Sequence, residues 1–180
     1  MFRITLDEFT LSISESLPTI FSEYREHAKL VEIFESRDTD VSQVFLAVAK
    51  NANWPFLIVV QKRSTGAESG FHPGMLLILE THLLFVGVEE HVFVYNLETV
   101  ERMWEEQILL GFWGWERYGH YVIMSAEVEM AVWDMYGKKL WSTFVEPPWS
   151  YTLDDDSVYL DVGEKKFSFS LLTGPTAPTW

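Results

Sequence analysis

The side chains of this chain that point most clearly to chemistry are its tryptophans and its carboxylates. Six of the eight tryptophans fall between Trp104 and Trp149, and two of them stand in Gly111-Phe112-Trp113-Gly114-Trp115-Glu116-Arg117-Tyr118. Alternation along an extended chain predicts Trp113 and Trp115 on one face, with Phe112 and Gly114 on the other. Trp149 lies in Glu146-Pro147-Pro148-Trp149-Ser150-Tyr151, a turn-rich setting at a sheet end where aromatics serve as contact anchors. Trp104, Trp133 and Trp141 read instead as core aromatics. Acidity coincides with the tryptophans: from Glu89 to Asp161 there are 15 acidic and 4 basic residues, so 11 of the 14 net negative charges come from this stretch. Aromatic area with carboxylates for steering suits the recognition of a basic protein surface. Trp113, Trp115, Glu116, Glu146 and Trp149 are the expected contact residues.

Other chemistries find no residues to carry them. The chain has no cysteine, which removes disulfides, thiolate metal sites and cysteine nucleophiles, and fits a reducing compartment. The glycine cluster from Gly66 to Gly74 has neither a Walker lysine nor Gly-x-Gly spacing, and Ser69 does not sit in a nucleophile elbow. His27, His72, His82, His91 and His120 form no His-Glu-x-x-His pair, so they read as structural. Asp154-Asp155-Asp156 lacks the spacing of a calcium loop and reads as a solvated hairpin turn. Among Glu105, Glu106, Glu116, Glu127, Glu129, Asp134 and Glu146 no catalytic pair is singled out, since carboxylate separation is a three-dimensional quantity. Glu127 and Glu129 would repel each other on one strand face unless something basic lies opposite. No catalytic residue, cofactor or metal is expected.

The elements that must position these residues are mostly strands. Short runs rich in Val, Ile, Phe, Tyr and Trp recur between turn residues from Val31–Glu35 to Lys166–Leu171, among them Val100–Trp104 and Ile108–Phe112. One helix is expected from Leu17 to Lys29, capped by Ser16 with Pro18 in its first turn, and with Leu17, Ile20, Phe21, Tyr24 and Ala28 on one face. The chain is expected to be a single domain over 1–180. Residues 1–66 supply the N-terminal strands and helix, a polar loop from Arg63 to Gly70 follows, and 71–180 carry repeated β-hairpins.

That repeat has an offset of 38 residues. His82-Leu83-Leu84-Phe85-Val86-Gly87 aligns with His120-Tyr121-Val122-Ile123-Met124-Ser125, Val94-Tyr95-Asn96 with Val132-Trp133-Asp134, and Met103-Trp104 with Leu140-Trp141. A partial third copy places Leu160 to Phe167 beside Trp133 to Leu140. Residues 81–172 thereby resemble β-propeller blade repeats of the tryptophan-docking and tryptophan–aspartate types. The resemblance implies an antiparallel meander. Four blades of about 40 residues would need nearly the whole chain, and the first 80 residues do not follow the pattern. The expected fold is therefore mainly β: an antiparallel β-sandwich or an incomplete propeller-like meander with one short N-terminal helix.

The formal net charge of −14 opposes phosphate backbones and anionic lipid, so neither nucleic acid nor a membrane is an expected partner. No run reaches the roughly 20 apolar residues of a membrane span, and the first residues lack a signal peptide's pattern. A cytoplasmic location is expected. In size, acidity and want of catalytic motifs the chain resembles small acidic immunity or antitoxin proteins, a resemblance of type that implies an inhibitor of a basic protein. The alternatives are a carbohydrate-binding β-domain stacking sugars on tryptophan, an enzyme whose site is assembled from dispersed carboxylates, and a structural subunit.

Overall fold

The computed structural model describes residues 1–34, 41–51, 53–64, 72–177 and 179. These form a mainly β chain with one short helix, and no helix among them is long and apolar enough to cross a membrane. The chain divides into two compact units: Met1–Ser69 with Thr99–Glu101, and Gly70–Glu98 with Arg102–Trp180. The expected polar loop falls almost wholly outside the described residues.

The first unit is built on a five-stranded sheet of β1 (Phe2–Leu6), β2 (Phe9–Ser14), β3 (Leu30–Phe34), β4 (Val41–Lys50) and β5 (Pro55–Ser64), in the order β1-β2-β4-β5-β3. All pairs are antiparallel except β3 with β5. Both faces of β4 and β5 are buried at Val44 to Val48 and Leu57 to Val60, which is why these strands read as unbroken apolar runs. β1 and β2 went unread in the sequence because Asp7-Glu8 lacks the usual glycine or asparagine of a hairpin turn. Asp7 itself takes the left-handed conformation, φ 53°, which aspartate tolerates better than most residues.

Helix α1 (Phe21–His27) is shorter than expected. The Phe21 N–H bonds the Pro18 carbonyl at 3.0 Å in a separate turn, and Ile20, not Ser16, occupies the N-cap with no side-chain cap. The apolar face holds nonetheless: Leu17, Phe21, Tyr24 and Ala28 pack on Phe45, Ala47, Ile58 and Val60. Ile20, expected on that face, is 37% exposed.

The second unit consists of three consecutive meanders, each ordered as in the sequence. The first comprises β6 (Gly74–Ile78), β7 (Leu83–Val88), β8 (His91–Asn96) and β9 (Glu101–Gln107), Glu101 being assigned to the other unit. The second comprises β10 (Phe112–Tyr118), β11 (Tyr121–Ala126), β12 (Glu129–Asp134) and β13 (Lys139–Phe144). The third has β14 (Trp149–Asp154), β15 (Ser157–Val162) and β16 (Lys165–Ser170). This is the blade-like half of the expected fold. Of the segment Ile108–Phe112, expected as a strand, residues 108–111 are the connection between β9 and β10 and Phe112 opens β10.

Backbone bonds mark the repeat. The N–H just after the third strand donates to the carbonyl just before the second: Leu97 to His82, Met135 to His120, and Leu171 to Asp156, at 2.8–2.9 Å. The third copy is thus offset by 36 residues from the second, and its β15–β16 hairpin fills the place of β11–β12. The expected alignment with the β12–β13 hairpin is corrected; the Asp-x-x-x-Lys-Lys likeness behind it is local turn chemistry that hairpins share.

Successive meanders bury their facing sides. Ile78, Phe85, Val94, Phe112, Met124 and Trp133 belong to the core of the first two, and Ile123, Val132, Trp149, Leu160 and Leu171 to that of the last two. The fourth-strand tryptophan then hooks the next meander: Trp104 Nε1 donates to the Gly137 carbonyl at 2.8 Å and Trp141 Nε1 to the Leu171 carbonyl at 2.7 Å. The close approach demands glycine. A Cβ on Gly174, whose φ is +70°, would stand 2.6 Å from the Trp141 ring.

Candidate functional site

The site begins with an irregularity in β10. Phe112 pairs with Ala126 and Gly114 with Ser125, so Trp113 is an extra residue without a cross-strand partner, a β-bulge that breaks the alternation of faces. The expectation that Trp113 and Trp115 share a face is therefore corrected. Trp115, half-buried, packs with Phe112 against the core of the first two meanders, with ring centroids 5.4 Å from Phe85, 5.4 Å from Phe112 and 5.5 Å from Trp133. Its indole N–H is buried without a hydrogen-bond partner.

Trp113 turns the other way and is 42% exposed. Its ring stacks on Trp149 at 5.3 Å and 18°, and Trp149 stacks in turn on Tyr151 at 6.0 Å and 23°. Two hydrogen bonds hold this ladder: Trp149 Nε1 donates to the Glu127 carbonyl at 3.0 Å, and the Tyr151 hydroxyl donates to Glu116 Oε2 at 2.6 Å. Burial first, then the bond to Glu116 and its charge, push the Tyr151 phenol well above its ordinary range. Tyr151 stays a neutral donor to the carboxylate.

The end of the meanders around the ladder is knit by backbone bonds. Glu127 N–H donates to the Gly111 carbonyl, Val145 N–H to Val128, and Gly163 N–H to Pro148, at 2.9–3.1 Å. These tie together the β9–β10 connection, the β11–β12 turn and the β13–β14 connection. They hold Leu109, 63% exposed, Leu110, 39% exposed, and exposed Glu146 at this end. Of the expected residues the fold brings Trp113, Glu116 and Trp149 into one network and sets Glu146 on the adjoining connection, three residues before Trp149. Trp115 it places elsewhere. Trp149 is nearly buried, so it supports Trp113 from behind. Tyr151, Leu109 and Leu110 were missed. Period-two spacing from Trp149 to Tyr151 and Leu153 carried the signal for the first, but the prolines before it obscured the strand.

Several of the remaining carboxylates are paired. Glu129 is buried, accepts the Leu109 N–H at 3.2 Å and lies 4.0 Å from Lys139 Nζ, which also binds Glu106. Lysine is thus the basic group that allows Glu129 inside, while Glu127 sits in the turn before β12. His82 Nδ1 meets Glu98 Oε1 at 2.8 Å and His120 Nδ1 meets Met135 Sδ at 3.2 Å, so both equivalent histidines work at a strand edge. Asp155 turns the β14–β15 hairpin at φ 47°. Among the described residues no three His, Asp or Glu side chains are grouped to hold a metal ion.

No family model and no curated protein matches the sequence. Among solved structures the chain is similar to the crystal structure of BamB from Moraxella catarrhalis, at 13% identity and a TM-score of 0.44, over 76% of this chain and 44% of that one. It is also similar to KlHsv2 with loop 6CD replaced by a Gly-Ser linker, at 10% identity and a TM-score of 0.32, over 54% and 34%. The chain spans less than half the length of either.

Proposed function

We propose that this chain is a non-catalytic, cytoplasmic protein-binding domain that engages a basic partner through the meander end that bears Trp113, and that it acts as an inhibitor of the immunity or antitoxin type. The observation that carries the reading is Trp113 itself. A large aromatic left 42% exposed, yet held flat by the Trp149–Tyr151 stack, offers contact area with little conformational entropy to lose. Exposed Leu109 and Leu110 extend the apolar surface, and Glu116 and Glu146 add negative charge. Long-range attraction from an acidic unit speeds encounter with a cationic surface.

The test is affinity capture from host extract with the intact chain and with Trp113→Ala, each at low and at high salt. The reading expects a basic protein retained at low salt, released by high salt and lost from the variant while its melting temperature holds. Retention indifferent to both would reject it. The exposed indole also suits a sugar ring, and saturable binding of soluble oligosaccharides that persists at high salt would establish the carbohydrate-binding alternative.

A further inference from the structure

A second site lies in the N-terminal unit, on the face of the sheet that carries α1, where a cavity of about 570 Å³ opens beside the helix. That volume lies within the range of small-molecule sites. Register explains why space remains. Cross-strand rows place Thr5, Thr10 and Ala49 side by side, and Arg3, Ser12 and Ala47 in the next row. Most of these side chains are small, while α1 covers only the neighbouring part of the face at Phe45, Ala47, Ile58 and Val60. The floor is therefore shallow and lined with hydroxyls.

One wall is aromatic. Trp54 is 43% exposed; His27 stacks on it at 4.5 Å and 15°, and Tyr24 meets it at 5.6 Å and 75°. The indole is thus fixed before any ligand arrives. Charge sets the other requirement. In a chain of net charge −14, the described residues of the lining include no carboxylate, and Arg3 is the one charged side chain among them. Arg3 Nε donates to Ser12 Oγ at 3.2 Å, and one terminal nitrogen faces only Met1 Sδ at 3.9 Å. No acidic side chain pairs with it among the described residues. The hydroxyls of Thr5 and Thr10 lie 3.1 Å apart; since one proton serves that bond, the other remains to donate.

We propose that this cavity binds a small planar organic anion, its carboxylate held by Arg3 and the threonine hydroxyls and its ring against Trp54 and Tyr24. Guanidinium matches a carboxylate in fork geometry, and flat rings stack or meet edge to face. The proposal rests on residues separate from those around Trp113.

The test is a titration of the intact chain, followed by amide and side-chain NMR, with indole-3-acetate as probe. Tryptamine supplies the same ring with a cation, and acetate the anion without a ring. Saturable shifts at the Trp54 indole N–H and the Arg3 Nε–H are expected, with a Kd near or below about 1 mM, and both controls at least about tenfold weaker. Arg3→Met is expected to weaken indole-3-acetate about tenfold. Ala49→Leu, which fills the floor, is expected to abolish the shifts while the resonances of β4 and β5 keep their dispersion. Tryptamine binding as tightly as indole-3-acetate, no saturable shift at these groups, or an unchanged affinity in Ala49→Leu would each overturn the proposal.

Discussion

At the scale of single residues, Trp113 and Trp115 stand two positions apart and differ in everything that decides their roles. Trp115→Ala removes a ring wedged between Phe85, Phe112 and Trp133 and is expected to cost about 3–5 kcal/mol of stability. Trp113→Ala loses one partly exposed stack and is expected to cost below about 1.5 kcal/mol, but about 2 kcal/mol or more of partner affinity. Thermal melts of the two variants beside binding isotherms separate the roles, and equal destabilisation would place Trp113 in the core with its neighbour. Glu116 and Glu146 are expected to change mainly the association rate, because exposed charges steer more than they hold.

At the scale of elements, the meanders depend on a few intimate contacts. A Cβ at Gly87 would lie 2.4 Å from the Phe112 ring, so Gly87→Ala is expected to destabilise by about 1–3 kcal/mol through overpacking. Adding Phe112→Leu makes room for the methyl, and the double variant is expected to lose less than the sum of the single changes, as denaturant titrations would measure. A second contact joins the same two meanders: Arg117 donates to both Glu80 oxygens at 2.6 and 2.9 Å. Those bonds hold the Glu80 carboxyl below its ordinary value. A depressed folded-state pKa stabilises above the unfolded value of about 4.3 and is lost as pH falls through the folded one. Glu80→Gln is therefore expected to flatten the acid limb of the stability–pH curve below about pH 5 without altering the neutral-to-alkaline limb.

At the scale of the whole molecule, salt is expected to act in opposite directions on two observables. A net charge of −14 repels itself, so raising ionic strength from about 0.01 M to 0.15 M, which shortens the Debye length from about 30 to 8 Å, is expected to raise the melting temperature. The same screening is expected to weaken binding of a basic partner. A salt titration of both on one preparation checks the pair of signs, and affinity that rises with salt would remove charge from the recognition. Chelators are expected to leave the melting temperature where it was, since buried Glu129 is met by Lys139 and the Leu109 N–H, and no three His, Asp or Glu side chains are grouped among the described residues.

The mainly β fold, the apolar face of α1 and the 38-residue relation of the first two meanders were legible in the chain alone. Each is written in short-range periodicity and composition, which a linear sequence records directly. The hairpin of β1 and β2 was not, because its turn uses aspartate where glycine would have announced it. Nor was the register of the third meander, since hairpin turns look alike and only the Leu171–Asp156 bond shows which pair of strands they join. The sorting of the tryptophans depended most on tertiary structure. Residue types and alternation assigned Trp113 and Trp115 to one face; the bulge in β10 inserts one residue and turns them apart. Gly114, a glycine inside the strand, is a local hint of a bulge, but where the bulge falls is decided where the strand must satisfy partners far away in the chain. Here those partners are Ala126 and Ser125 across the sheet, with Phe85 taking Trp115 on one side and Trp149 taking Trp113 on the other.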